Sequence, residues 1–347
     1  MRLTLEDVGR LAGVSRSTVS RVVNGETSVR HEVRERVHQV IKQTGYTPNA
    51  AARSLVSNRT GVIGLVIPSR VHSLFEDPYF AKLIQGITLA SNKAGTTLSL
   101  FLFETEDEEK DLYPRVVEAG FLDGVIVTAT RAGDPLISRI AASSLPLVMI
   151  GRPGLDGVSY ADVDNRGGAV LAARHLCDIG CERIALLGAP STTTTGQDRL
   201  AGFVEGLAES GRALPRHLRV DGDFSEASGY SAMIQLLEHQ PDGVFVASDA
   251  MATGALAALH AAGKRVPEDV AVIGFDGFAA SEKTSPPLTT LRQPVAETAT
   301  TAVQMLRRLI DGDAESPLVE VFPVELLHRA STLRSVKPSD LAADSAT

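Results

Sequence analysis

From Gly61 onward, short apolar runs alternate with amphipathic stretches, and this alternation restricts most of the 347-residue chain to a parallel α/β fold. The runs are Val62–Ile67, Leu98–Phe103, Gly124–Thr128, Leu147–Ile150, Val158–Ala161, Ile184–Leu187, Val244–Ala247 and Val270–Phe275. Helical segments fall between most of them, at Tyr79–Lys93, Glu106–Glu118, Asn165–Ile179, Gln197–Glu209, Glu226–Glu238 and Asp249–Ala261. Pro294–Asp311 reads as a further helix and Leu318–Val324 as a further strand. That is more strands than one doubly wound unit holds comfortably, so two similar lobes are expected. The Ser-, Ala- and Asp-containing tail after Arg334 has little to bury and is expected to be disordered.

The segment before Gly61 follows different rules. Thr4–Asn24, TLEDVGRLAGVSRSTVSRVVN, reads as two short helices around a tight turn. Thr4 and Asp7 have capping-box spacing. Leu5, Val8 and Leu11 recur at a spacing of three, Gly13 can turn the chain, and Ser15 can cap the second helix. Val19, Val22 and Val23 give that helix an apolar face, and its opposite face carries Arg16, Ser17, Ser20 and Arg21. Such hydrogen-bonding side chains can read base edges in a major groove, so the unit reads as a helix-turn-helix. Its bland alternative is a helical hairpin packed on a larger body. Val29–Gln43 supplies a third helix with the stripe Val33, Val37, Val40 and Ile41, ended by Gly45, and Tyr46 packs back on the small core.

Between these parts lies PNAAARSLVSNRT, residues 48–60. Asn49 can cap two helical turns, too few for a stable isolated helix, so this is expected to be a hinge that folds when something docks on it. Leu55 has no evident core to enter. It is either a wedge for a minor-groove base step or an incidental leucine in a linker.

Charge sharpens the division. Residues 1–60 hold ten Lys and Arg against five Asp and Glu, and the remainder holds 24 against 37. A basic head on an acidic body points to one end that binds a polyanion. The start, MRLTLEDVGR, has charges where a signal peptide needs an apolar run, and no apolar stretch approaches the ~20 residues that span a bilayer. A cytoplasmic protein with no membrane partner is expected. The two cysteines, Cys177 and Cys181, are too few for a metal site and read as free thiols, and no cofactor is implied.

The segments DVGRLAGVSRSTVSRVVN, GYTPNAAARSL, GVIGLVIP, DPYFAKLIQGI, LDGVIV, RLAGF, SDAMATGAL, VPEDVAVIGFDG and SPPLTTLRQP together resemble the LacI/GalR family of bacterial transcription regulators, over about Thr4 to Leu333. The resemblance implies a helix-turn-helix headpiece (residues 1–46), a hinge helix (47–60) and a core like periplasmic sugar-binding proteins. The core's first lobe would be 61–161 plus 292–320, its second lobe 162–291 plus 321–334, with 335–347 as the tail. It further implies a homodimer on near-palindromic double-stranded operator DNA, with the hinges paired in the minor groove. Arg16, Ser17 and Arg21 would touch bases, Thr18, Ser20 and Asn24 would hold phosphates or cap locally, and Asn49, Ala52 and Leu55 would carry the hinge contact. Arg30 departs from the family, which places Ser or Thr there; it cannot cap the third helix but could grip a phosphate.

The effector would lie between the lobes. Arg199 and Asp276 match ligand-binding positions, as do the aromatics Tyr79, Phe80 and Phe224 and the polar Thr195. Asp249 follows a strand end, where open sheets bind ligands. Paired Arg and Asp suit a sugar, and Arg152, where some relatives carry an acidic residue, suggests a sugar acid or phosphosugar. Plain structural roles compete: Asp249 as a helix cap, Asp276 as a turn residue, Phe80 as core. Arg199 is harder to explain so, because an unpaired buried guanidinium is costly. A sugar receptor without DNA function would lack the basic head. An enzyme is disfavoured because GxGxxG, Walker A, GxSxG and HExxH are absent.

Overall fold

The computed structural model describes residues 3–23, 26, 28–46, 59–67, 77–103, 105–118, 120–128 and 131–334, in two units divided at Gly61. Residues 47–58 and 335–347 lie outside the described residues, and with them the expected hinge residues Asn49, Ala52 and Leu55 and the tail; Asn24 does too.

The first unit is three helices: α1 (Leu5–Ala12), α2 (Arg16–Val23) and α3 (His31–Thr44). The capping box forms in both directions, Asp7 N donating to Thr4 Oγ1 at 3.2 Å and Thr4 N to Asp7 Oδ2 at 3.0 Å. Gly13 ends α1 at φ 66°, and Thr18 N donates to Ser15 Oγ at 3.2 Å to start α2. Val8, Ala12, Val19, Val22, Val37 and Tyr46 form the core. Two expectations need correcting. Leu11 is 56% exposed, because the buried stripe of α1 runs through Leu5, Val8 and Ala12 and leaves Leu11 roughly 60° beyond Val8. The third helix starts at His31 and not at Val29, with Arg30 at its N-cap making no capping hydrogen bond.

The second unit contains two six-stranded sheets. The first holds β1 (Val62–Ile67), β2 (Thr97–Leu102), β3 (Gly124–Thr128), β4 (Leu147–Ile150), β5 (Ser159–Val163) and β11 (Val319–Phe322), in the order β2-β1-β3-β4-β5-β11 with every pair parallel. The second holds β6 (Ile184–Gly188), β7 (Arg219–Asp221), β8 (Gly243–Val246), β9 (Ala271–Asp276), β10 (Thr289–Arg292) and β12 (Glu325–Leu327), in the order β7-β6-β8-β9-β10-β12. Only the β10–β12 pair in it is antiparallel. Helices α4 (Pro78–Ala94), α5 (Glu106–Tyr113), α6 (Pro135–Ala141) and α11 (Val295–Asp311) serve the first lobe. Helices α7 (Asn165–Asp178), α8 (Thr194–Glu209), α9 (Glu226–Leu237) and α10 (Asp249–Ala261) serve the second.

The central strands are buried almost residue for residue, which is why they were readable as apolar runs. Leu318–Val324, expected as one strand, instead divides around Pro323: β11 joins the first sheet and β12 the second. The chain passes between sheets after Val163, Arg292 and Phe322. In both sheets the strand order reverses beside the first strand, β1 and β6, and open α/β sheets bind ligands at the carboxyl ends of the strands at such a reversal. Phe278 links the two lobes. It follows β9 of the second sheet yet packs into the first lobe's core with Phe80 and Leu83, under the Lys82 ammonium at 5.0 Å.

Candidate ligand cleft and nucleic-acid interface

Arg199 sits at the centre of the cleft. Thr193 starts α8 by accepting from Gly196 N at 3.0 Å, and the helix then turns Arg199 inward, leaving it 4% exposed. Its Nε donates to Asn165 Oδ1 at 2.9 Å and its Nη1 to the Ala247 carbonyl. The guanidinium lies 3.5 Å from the centre of the Phe275 ring, and Nη1 is 4.0 Å from Asp276 Oδ1. Asp276 ends β9 with a φ of 124°, a backbone conformation that costs a non-glycine residue about 1–3 kcal/mol. Asp249 N and Gln293 Nε2 hold its carboxylate at 3.2 and 2.6 Å. Phe224, at φ 71°, is a second strained candidate; it follows β7, half-buried against the second lobe's core. Strain of this kind persists where the surroundings over-determine it, which favours a site over a mere turn.

The first lobe supplies the opposing wall. Asp77 caps α4, accepting from Tyr79 N at 2.9 Å, and the Tyr79 phenol lies beside the Thr128 hydroxyl at the end of β3. Asp162, near the end of β5, accepts from Val163 N at 2.7 Å, Arg152 N at 2.9 Å and Asn165 Nδ2 at 3.1 Å. Burial pushes the Asp276 and Asp77 carboxyls up, against the opposing pull of Arg199. Burial likewise pushes the Tyr79 phenol up, with the Asp162, Asp77 and Asp276 carboxylates adding to it. Burial presses Arg199 down, while Asp276, Asp162, Tyr79 and Asp77 all favour its charged form. Groups from both lobes therefore converge on one cation. Among the described residues no buried side-chain nitrogen or oxygen lacks a partner.

Three expected cleft residues are placed differently from their simplest reading. Asp249 does not cap α10; Ser248 does, accepting from Met251 N at 3.2 Å. Asp249 is 4% exposed and instead accepts from Thr290 Oγ1 at 2.6 Å and Phe278 N at 3.0 Å, tying the ends of β8, β9 and β10 together. Phe80 is core, its ring edge-on to Tyr79 at 5.4 Å. Arg152 is not free to meet an anion, because Asp198 holds its guanidinium through Nε at 2.9 Å and Nη2 at 2.8 Å. Thr195 lies half-buried in the first turn of α8. The sequence reading missed Asp77, Thr128, Asp162, Asn165, Asp198 and Gln293. Thr128 and Asp162 were visible as polar residues at the ends of apolar runs, whereas Asp77 before Pro78 looks like an ordinary cap.

Asp162 yields a pH prediction. Burial raises its carboxyl from 3.8 to about 6, so the folded chain binds this proton more tightly than the unfolded one. The ionised group is thus unfavourable above pH 6, and the penalty is relieved as pH falls from about 6 towards 4. From pH 7 to pH 5 the wild type should gain about 1 kcal/mol relative to Asp162→Asn, read as converging or crossing thermal midpoints. A midpoint difference that stays constant across that range would show Asp162 to be ionised normally.

On the headpiece, α2 exposes Arg16, Ser17 and Arg21, with Thr18 and Ser20 half-buried. Ser17 Oγ and Thr18 Oγ1 each lie 2.8 Å from Ser15 Oγ, so Thr18 serves the cap. Arg21 Nε is 3.7 Å from Glu26, and Arg30 is exposed. Cys177 and Cys181 are free thiols, the second buried and pushed up to about 12. Among the described residues no helix is long and apolar enough to cross a membrane.

A helix-turn-helix unit joined in one chain to a two-lobed cleft defines a ligand-responsive, DNA-binding transcription regulator. Residues 4–49 match the bacterial regulatory proteins of the lacI family, and residues 173–332 match the periplasmic binding protein-like domain. The chain is 38% identical over 335 residues to the transcriptional regulator CelR of Thermobifida fusca, covering 95% of this chain and 98% of that one. It is 33% identical to the ribose operon repressor of Escherichia coli, covering 94% and 99%. Among solved structures it is similar to a CelR–cellobiose complex (TM-score 0.76, 36% identity, 95% and 100% coverage). It is also similar to the lac repressor dimer bound to operator and the anti-inducer ONPF (TM-score 0.84, 29% identity, 96% and 100% coverage). The chain belongs to the LacI family of bacterial regulatory proteins.

Proposed function

We propose that this protein is a homodimeric cytoplasmic repressor whose grip on a near-palindromic operator is set by a neutral, polyhydroxyl effector, a sugar or glycoside, bound between the lobes. The observation that carries this reading is the buried Arg199–Asp276 pair, which presents donors and acceptors side by side, as vicinal hydroxyls require. The cellobiose in the CelR complex supports a glycoside. The pairing of Arg152 with Asp198 argues against the sugar acid or phosphosugar that Arg152 alone suggested. Exposed Leu89, Leu100, Tyr230 and Ile234 suit a dimer surface. No turnover of the effector is proposed, because the similar proteins of stated role are transcription regulators.

Arg16, Ser17 and Arg21 read bases in this scheme, Arg30 holds a phosphate, and Asn49, Ala52 and Leu55 form the hinge contact. Effector binding changes the relation of the lobes and so the stability of the hinge on DNA. The test is fluorescence anisotropy on a near-palindromic site selected from random DNA, with and without a panel of neutral sugars. The selected site should bind at least ~10³-fold more tightly than random duplex, and one sugar should change that ratio. Arg16→Ala should cost about 1–3 kcal/mol on the selected site and little on random DNA. Equal losses on both would assign Arg16 to the phosphate backbone. Failure of every panel member to alter operator binding would count against the sugar class.

A further inference from the structure

Asp198 is missing from every expectation drawn from the sequence, yet it makes a two-bond ion pair between the lobes at the cleft. It lies on α8 of the second lobe, one residue before Arg199, and is 23% exposed at the side chain. Arg152 follows β4 of the first lobe and is 41% exposed. The two join as a fork, Arg152 Nε to Asp198 Oδ2 at 2.9 Å and Nη2 to Oδ1 at 2.8 Å. Neighbouring links complete a seam. Thr194 Oγ1 donates to the Arg152 carbonyl at 2.8 Å, Ala132 N donates to the Thr192 carbonyl at 2.8 Å, and Arg131 and Thr193 form a β-bridge. The seam is contiguous with the ligand groups: Arg152 N donates to Asp162, the carboxylate that acts on Arg199.

We propose that Asp198 is a specificity-determining residue: by occupying the Arg152 fork across the lobes, its carboxylate makes the closed cleft accept a neutral ligand and refuse an anionic one. The proposal rests on the reading of this cleft as the effector site. Around the cleft stand the carboxyls of Asp77, Asp162, Asp198 and Asp276 and the guanidiniums of Arg152 and Arg199. With Arg152 taken by Asp198 and Arg199 shared among the rest, neither of these two guanidiniums is left unmatched for an incoming carboxylate or phosphate. It must either displace Asp198, leaving that carboxylate beside a second anion, or accept repulsion from Asp162 and Asp77. A hydroxyl group incurs neither cost. A fork-shaped pair also matches carboxylate geometry closely, so an anionic ligand would be in direct competition with Asp198 for the same donors.

The experiment uses the full chain with glucuronate and inorganic phosphate as anionic probes and glucose and cellobiose as neutral ones, read by calorimetric titration and thermal shift. Wild type should show no measurable response to either anion. Asp198→Asn, and Asp198→Ala as a second variant, should bind at least one anion about tenfold or more above wild type. Adding Arg152→Gln should abolish that gain, and Asp198→Glu should keep the refusal. The proposal is overturned if wild type prefers glucuronate to every neutral probe, if both Asp198 variants stay blind to anions, or if the gain survives loss of Arg152. Neutral probes report separately: silence from both in wild type counts against the glycoside reading, while a gained anion response would still stand for the gate.

Discussion

Arg199→Met should abolish effector binding, weakening it beyond about a hundredfold, and should cost the core about 3–5 kcal/mol of stability, while operator binding by the headpiece persists. The size of the effect follows from what the guanidinium touches. It neutralises Asp276 at 4.0 Å and acts on Asp162 and Asp77, so its removal leaves buried carboxyls facing one another. It also leaves Asn165 Oδ1 and the Ala247 carbonyl without a donor. Methionine retains the packing on Phe275 but supplies no hydrogen bond. Because the remaining carboxyls prefer to be protonated, the stability deficit should shrink as the solution is acidified. The double change Arg199→Met with Asp276→Asn removes the cation and its nearest carboxylate together, so it should recover part of the midpoint but none of the ligand affinity. Such a split between stability and binding distinguishes a ligand contact from a purely structural ion pair. A single variant that still answered to the wild-type effector would place the ligand elsewhere.

The elements legible in the sequence were those whose environment is uniform. Val62–Ile67, Gly124–Thr128 and Leu147–Ile150 are buried on both faces, so the run of apolar residues and the strand coincide. Asp249–Ala261 was readable from its length and its Ala- and Leu-rich composition. Strands β7 and β10 escaped notice because Arg219, Asp221, Thr289, Thr290 and Arg292 interrupt any apolar pattern. In β10 the buried threonines are paid for by hydrogen bonds, Thr289 Oγ1 to the Arg329 carbonyl at 2.8 Å and Thr290 Oγ1 to Asp249 at 2.6 Å. The site divides the same way. Arg199 and Asp276 lie in motifs of local character, RLAGF and GFDG, and could be named. The meaning of Arg152 could not, because its partner is 46 residues away on the opposite lobe. Local pattern reports which residues are unusual. It does not report which of them find each other.

The second large effect concerns a residue with no polar chemistry. On α10, a Cβ at Gly254 would lie 1.9 Å from the Glu226 carbonyl oxygen and 2.7 Å from Tyr230 N, both backbone atoms of α9. The approach is reciprocal, a Cβ at Gly229 lying 2.1 Å from the Met251 carbonyl oxygen. These helices therefore cross backbone to backbone, and no rotamer change can relieve an added methyl; the helices themselves must separate. Separation would open the cluster around Ala232, Met233, Leu236, Met251, Ala252 and Ala255. Alanine is favoured over glycine within a helix by about 1 kcal/mol, but overpacking a close contact costs about 1–3 kcal/mol and more where backbone must move. The clash wins, and Gly254→Ala should lower the thermal midpoint by roughly 2–6 °C. Function should follow, since Phe224 leads into α9 and Asp249 begins α10. Moving these helices apart shifts two cleft residues at once, so effector affinity should fall even at temperatures where the variant is fully folded. A Gly254→Ala protein with the wild-type midpoint would mean that α9 and α10 stand farther apart in solution than this contact requires.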